Sequence, residues 1–346
     1  METTADEAQA RLAALPRLHL AHLPTPLEEM PRLSRHLGGP RLLAKRDDLT
    51  GLGIGGNKLR KLEYDLAAAQ AAAADCVVCG GVVQSNTARQ AAAACAKLGL
   101  GCHLGIMRGR VPGTEPGYDS TGNILLDRLY GAVIHDIPWN EDRNLHLRRI
   151  ADALAAAGRR PYLVPYGASD ALGAMGYARM VLELLEQCRS EGVRPTYIVH
   201  ASGSAGTQAG ILAMLTALGH PLRCIGIDVD AQPERVARDV RRVGREAAAL
   251  LGVEAAWDES RVEVAAGFAG PAYGVADAAT LEAIGLAARL EAFALDPVYA
   301  GKGMSGLIGL VRRGRFQAED VVVWIHTGGV PGIFAYPAAM ARAAAR

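Results

Sequence analysis

With 346 residues, half of them apolar, the chain can bury one large core or two smaller ones. Its 37 basic and 36 acidic side chains leave a formal net charge of +1, which excludes the electrostatic footprint of a nucleic-acid or anionic-membrane binder and points to small-molecule partners. No apolar run reaches the roughly 18 residues that span a bilayer, and Glu2, Asp6 and Glu7 stand where a secretory leader carries basic residues, so a cytoplasmic protein is expected.

In chain order, the patterning predicts a helix over 58–74, a buried strand over 76–79, a helix over 86–98, strands over 102–106 and 133–137, and helices over 145–157 and 171–188. A strand over 197–201, a helix over 207–218, a strand over 224–227, helices over 233–251 and 278–291, and a strand over 321–325 follow. Strands alternating with helices predict an α/β fold of mostly parallel sheets covered by helices. Neither a low-complexity linker nor an internal repeat marks a domain boundary. The six cysteines lie mostly in apolar stretches without disulfide or zinc spacing, and Cys76-Val77-Val78-Cys79 falls inside a strand rather than at the helix N-terminus that suits a redox pair.

In open α/β sheets, ligands bind beyond the carboxyl ends of the strands. Small polar clusters occur at three such places: Gly80-Gly81-Val82-Val83-Gln84-Ser85-Asn86, Ala201-Ser202-Gly203-Ser204-Ala205-Gly206-Thr207 and His326-Thr327-Gly328-Gly329. In the second, backbone N–H groups and hydroxyls at a helix start form either a phosphate cup or a capped tight turn. Ser85 and Asn86 read as an N-cap pair or as cofactor and substrate ligands. Lys58, where the glycine turn Gly55-Gly56-Asn57 opens a helix, is a solvated helix-start lysine or a partly desolvated amine able to form a Schiff base.

Other motifs lead away from other chemistries. Gly51-Leu52-Gly53-Ile54-Gly55-Gly56 has dinucleotide-loop spacing, but Lys45-Arg46-Asp47-Asp48-Leu49-Thr50 before it is too polar for the buried strand that such a site requires. His200 and His326 end strands without metal-ligand spacing and read as structural, so no metal is expected. The nucleophile elbow G-x-S-x-G is missing as well. Tyr273 and Tyr299 sit in turn-like contexts that suit packing or a site.

Together, Gly55-Gly56-Asn57-Lys58-Leu59-Arg60-Lys61-Leu62-Glu63, Gln84-Ser85-Asn86-Thr87-Ala88-Arg89-Gln90, the 201–207 run, Asp296-Pro297-Val298-Tyr299-Ala300-Gly301-Lys302 and His326-Thr327-Gly328-Gly329 resemble the D-cysteine desulfhydrase and 1-aminocyclopropane-1-carboxylate deaminase family of fold-type II pyridoxal phosphate enzymes. The resemblance runs from about Leu23 to Tyr336 in the same motif order. It implies two open, twisted, mostly parallel sheets with pyridoxal 5'-phosphate between them, a large domain of residues 1–50 and 165–346, a small one of 51–164, and a homodimer. It also implies Lys58 as Schiff-base lysine and base, Lys61 and Ser204, Ala205, Gly206 and Thr207 on the phosphate, and Asn86 on the phenolic oxygen. Thr327 would face the pyridine nitrogen, and Ser85, Asn86, Thr87, Tyr273 and Tyr299 the substrate.

The implied reaction is α,β-elimination on a small β-substituted amino acid, D-cysteine first, with 1-aminocyclopropane-1-carboxylate deamination, cysteate sulfo-lysis and racemisation as alternatives. Thr327 follows the desulfhydrase branch, whereas the deaminases have leucine there and glutamate at the position of Ala300. Ala300 matches neither branch, and Thr87 replaces the usual histidine or glutamine. A non-catalytic amino-acid-binding protein on the same fold is the alternative of a different class.

Overall fold

The computed structural model describes residues 3–345. Its strands, in chain order, are β1 (Leu27–Glu29), β2 (Arg41–Lys45), β3 (Cys76–Val82), β4 (Gly101–Arg108), β5 (Val133–Pro138), β6 (Pro161–Leu163), β7 (Tyr197–Ser202), β8 (Arg223–Asp228), β9 (Glu263–Ala265) and β10 (Val321–Ile325). They form a six-stranded sheet, β1-β2-β10-β7-β8-β9, and a four-stranded sheet, β5-β4-β3-β6. All pairings are parallel except β1 on β2. Parallel strands need helical crossovers that cover both faces, so β3 is buried along its whole length.

The smaller sheet draws all its strands from 76–163, and the larger takes the flanking stretches. The helix Lys58–Ala71 nevertheless lies hard against the helix Ala171–Ser190: a Cβ on Gly176 would stand 2.2 Å from the Arg60 carbonyl oxygen. A buried ionic cluster reinforces this contact. Arg60 donates to Asp47 Oδ1 and Oδ2 at 2.8 and 2.9 Å and to Glu183 Oε1 and Oε2 at 2.9 and 3.0 Å. Lys45 reaches Glu183 at 2.5 Å and the Thr25 carbonyl at 2.7 Å, while the Tyr177 hydroxyl donates to Asp47 at 2.6 Å.

Most expected elements lie within a few residues of their expected bounds, with three instructive differences. First, β3 does not stop at Cys79 but continues through Gly80 and Gly81. The glycines are needed inside the sheet, because a Cβ on Gly80 would meet the Gly105 carbonyl at 2.7 Å and Leu147 at 2.8 Å. Second, the polar segment around Lys45 follows directly on a buried strand, β2, whose last residue is Lys45 itself; the ionic cluster offsets the cost of burying that amine.

Third, the patterning does not foresee the helix Ala300–Arg312, because it holds Gly301, Gly303, Gly306 and Gly309, which disfavour helix in isolation. Tertiary packing overrides that preference. A Cβ on Gly306 would meet Ile227 at 2.5 Å and one on Gly309 would meet Phe268 at 2.4 Å, so the bare helix face seats directly on its neighbours.

Candidate active site

The carboxyl ends of β3, β4, β7, β8 and β10 converge on a cleft of about 740 Å³, partly continuous with solvent, whose walls come from the segments that hold both sheets. Lys58, Ser85, Asn86, Thr87, Ser204, Ala205, Thr207, Tyr273, Tyr299 and Thr327 all line it. Lys61 and Gly206 sit just behind the wall, both buried.

Lys58 enters the cleft from the first turn of its helix. The turn before it is built on glycine: a Cβ on Gly55 would fall 2.0 Å from the Asp48 carbonyl oxygen, and both Gly55 and Gly56 have positive φ. Thr50 closes the turn, its hydroxyl donating to the Gly56 carbonyl at 2.9 Å and accepting from the Gly56 N–H at 2.8 Å. Desolvation within the surrounding protein lowers the Lys58 amine from 10.5 to about 8.

The helix Gly206–Ala217 starts at the end of β7 with Ala205 at φ 72°, a strained conformation for a residue bearing a Cβ. Behind its first turn, Lys61 donates to the Gly167 carbonyl and the Ser169 hydroxyl, each at 3.2 Å, and has no carboxylate within ion-pair distance among the described residues. Burial first, then the charge of Lys58, pulls the Lys61 amine well below its usual range. Ser169 also donates to Ser204 at 3.0 Å, and Asn57 donates to the Thr207 hydroxyl at 3.2 Å.

Opposite, Ser85 caps the helix Asn86–Leu98, accepting from the Ala88 N–H at 3.2 Å while its hydroxyl proton stays free to turn toward the cleft. The Tyr273 and Tyr299 hydroxyls are hydrogen-bonded to each other, with the rings edge to face at 5.9 Å. Tyr299 is set by buried Asp296, which accepts from the backbone N–H groups of Val298, Tyr299 and Ala300 at 2.8–2.9 Å. Burial raises the Asp296 carboxyl to about 6 despite those bonds.

The family model described as pyridoxal-phosphate dependent enzyme matches residues 18–328. The chain belongs to that family. Among similar enzymes, D-cysteine desulfhydrase of Salmonella typhi is 41% identical over 330 residues, covering 94% of this chain and 97% of that one. The D-cysteine desulfhydrase of Salmonella choleraesuis (strain SC-B67) is 42% identical over 325 residues, with the same coverage. A crystal structure of an ACC deaminase homologue superposes with a TM-score of 0.88 at 36% identity, over 97% of this chain and 99% of that one. A threonine deaminase, at 20% identity over 94% and 98% of the two chains and a TM-score of 0.64, shares the fold.

As a member of this family the protein is an enzyme whose cofactor is pyridoxal phosphate, and the residues present fit it. A buried lysine amine without a carboxylate partner, hydroxyls on Ser204 and Thr207 and a helix N-terminus together offer what a phosphate dianion needs. Gly206 leaves the approach open, since a Cβ there would stand 2.8 Å from Lys61 Nζ.

The cleft also holds residues that the sequence did not single out. Arg110, beyond β4, pairs with Asp230, beyond β8, donates to the Tyr166 hydroxyl at 3.2 Å and lies 3.9 Å over the Tyr273 ring. These partners are far apart in sequence and belong to no local motif. Asp296 left a signal, a carboxylate three residues before the expected tyrosine. His200 and His326 are buried; burial lowers both to about 4, which keeps them neutral. The six cysteines are buried free thiols, and desolvation raises Cys76 to about 11 and Cys79 to about 12, unlike a redox pair.

Proposed function

We propose that the protein is a lyase that eliminates the β-substituent of a small amino acid, with D-cysteine preferred: D-cysteine and water give pyruvate, ammonia and hydrogen sulfide. The near-full-length likeness to enzymes named D-cysteine desulfhydrase carries this reading. Bound pyridoxal phosphate supplies the electron sink for the pair left at the α-carbon. Lys58, lowered to about 8 and so half uncharged at that pH, takes the α-proton in its neutral form. Asn86 would hold the cofactor's phenolic oxygen, Thr327 would face its ring nitrogen, and Lys61 with 204–207 would take its phosphate.

Ser85, Asn86 and Thr87, around a helix start, receive the substrate carboxylate. The linked hydroxyls of Tyr273 and Tyr299 pass a proton to the departing thiolate. Residues 51–164 act as a small domain that closes on 1–50 and 165–346 to exclude water. A cytoplasmic location belongs to the same reading: no helix among the described residues is long and apolar enough to cross a membrane.

Likeness to an ACC deaminase homologue favours a second reading, cyclopropane ring opening. Against it, Ala300 brings no carboxylate beside Tyr299, where the deaminases of this family carry glutamate. The test is the keto acid released from D-cysteine, L-cysteine, cysteate, D-serine, 3-chloro-D-alanine and 1-aminocyclopropane-1-carboxylate in turn. Pyruvate chiefly from D-cysteine is expected. Pyruvate mainly from another substrate would make Thr87 and Ala300 the specificity determinants, and 2-oxobutyrate would replace the first reading by the second.

The assembly belongs to this proposal as well. Leu125 and Leu129 on the helix Gly122–Leu129, and Phe334 on the segment Val330–Ala335 packed against it, are 51, 73 and 67% exposed, apolar side chains suited to a homodimer. Sedimentation of the wild type as a dimer and of Leu129→Asp as a monomer is expected; a wild-type monomer would remove the proposal.

A further inference from the structure

Arg89 is a fully buried guanidinium that no carboxylate approaches within ion-pair distance among the described residues. Its acceptors are all neutral: Asn123 Oδ1 at 2.7 Å, the Gly55 carbonyl at 2.9 Å, the Gly53 carbonyl, and Asn86 Oδ1 at 3.5 Å. Asp127 acts on it only from a distance, and burial lifts that carboxyl to about 8, leaving it mostly protonated near pH 7. A charge buried in this way is costly and calls for a role.

The bonding directions supply one. A guanidinium only donates, so the Asn123 group facing Arg89 Nε must be its oxygen. The Asn123 nitrogen therefore points the other way, donating to the Gln84 carbonyl at 3.1 Å and to Asn86 Oδ1 at 3.1 Å. Asn86, with its oxygen engaged by Asn123 and Arg89, is left to present its NH2 group to the cleft that it lines with Lys58. The network is closed at its far end, since Gln84 Oε1 accepts from the Asn123 N–H at 2.9 Å and Gln84 Nε2 donates to the Tyr118 and Thr121 carbonyls. Through Gly53 and Gly55, the same guanidinium also grips the loop that carries Lys58.

We propose that Arg89 and Asn123 are positioning residues that fix the Asn86 amide as a donor to the cofactor's phenolic oxygen, with the Arg89 charge polarising that amide. The inference rests on the cofactor reading of Asn86 given above. A donor at the phenolic oxygen draws off negative charge and weakens the hold on a proton beside it; its loss raises the pH at which the bound cofactor's visible absorption changes. The titratable groups facing this corner are Lys58, Asp127, Tyr130 beyond the helix Gly122–Leu129, and His200 at the end of β7.

The experiment is a spectral pH titration of the cofactor-loaded wild type, Asn86→Ala, Asn123→Asp and Arg89→Lys, with cofactor affinity measured alongside. Asn123→Asp keeps the shape but cannot donate to Asn86 and neutralises Arg89. It is expected to raise the spectral midpoint by about one pH unit and weaken cofactor binding about tenfold, in the same direction as Asn86→Ala. Arg89→Lys, which keeps the charge but loses the directional fork, is expected to fall between Asn123→Asp and the wild type.

A shift in Asn86→Ala with none in Asn123→Asp or Arg89→Lys overturns the inference and leaves the reading of Asn86 standing. No shift in Asn86→Ala overturns both. Should the variants fail to fold, the Asn86 side-chain amide resonance of the wild type decides: a downfield shift on cofactor loading is expected, and an unmoved resonance overturns the inference.

Discussion

Replacing Lys58 by alanine is expected to cut keto-acid release by about 10⁴-fold or more, because the amine that would both anchor the cofactor and move the α-proton is gone. Lys58 and Arg110 are the basic side chains lining the cleft, and a guanidinium does not give up its proton. An ordinary lysine at 10.5 is uncharged in about one molecule in 300 at pH 8, whereas Lys58, lowered to about 8, is uncharged in half. Cofactor loading of the apoprotein is accordingly expected to accelerate as pH rises through about 8. Borohydride reduction followed by mass spectrometry should show a covalent cofactor adduct in the wild type and none in the variant. Wild-type turnover by Lys58→Ala would sink the assignment.

The variant should remain folded. The Lys58 pKa in the folded chain lies below its ordinary value, so the charged amine opposes folding fully below pH 8, and the penalty fades between about 8 and 10.5. Removing the amine therefore raises thermal stability most on the neutral side of that window. Loss of activity with an unchanged or higher melting temperature separates a chemical role from a structural one.

The second large effect lies in the ionic cluster behind the Lys58 helix. Arg60→Met is expected to cost about 3–5 kcal/mol, because Asp47 and Glu183 would be left buried without their shared fork. Urea unfolding measures it, and a loss under about 1 kcal/mol would mean that Lys45 and Tyr177 satisfy the carboxylates on their own.

Acid should act on the same cluster. Burial pushes the Glu183 carboxyl up, but the Arg60 bonds and charge, with Lys45, outweigh it and bring it down from 4.5 to about 2. A carboxyl lowered in the folded state stabilises fully above its unfolded value, and that contribution disappears as pH falls from about 4.5 to about 2. Wild type is therefore expected to lose stability over that window, and Glu183→Gln to start lower and change less.

The legible parts of this molecule are those governed by local rules. Lys58 after two glycines, the small-residue start at Ser204–Thr207, and the cap at Ser85 all announce themselves within a few residues, since turn geometry and helix ends depend on neighbours in the chain. β2 and the glycine-rich helix Ala300–Arg312 were hidden because their stability comes from distant partners: Glu183 for Lys45, and Ile227 and Phe268 for the bare glycine face. Arg110 and Asp230 offered no pattern, since what places them together is the convergence of β4 and β8 ends across the cleft.

The sequence by itself determined the α/β alternation, the family resemblance and the chemistry an unusual lysine could perform, because hydrophobic period, turn residues and helix starts are short-range properties. Only the tertiary structure decided how far Lys58 is desolvated and which way the Asn86 amide faces. The first is set by the protein packed around the Lys58 amine, and the second by the chain of one-way bonds from Arg89 through Asn123. Both depend on which side chains surround a group in space, and residues 86, 89 and 123 meet only once the helices Asn86–Leu98 and Gly122–Leu129 have packed together.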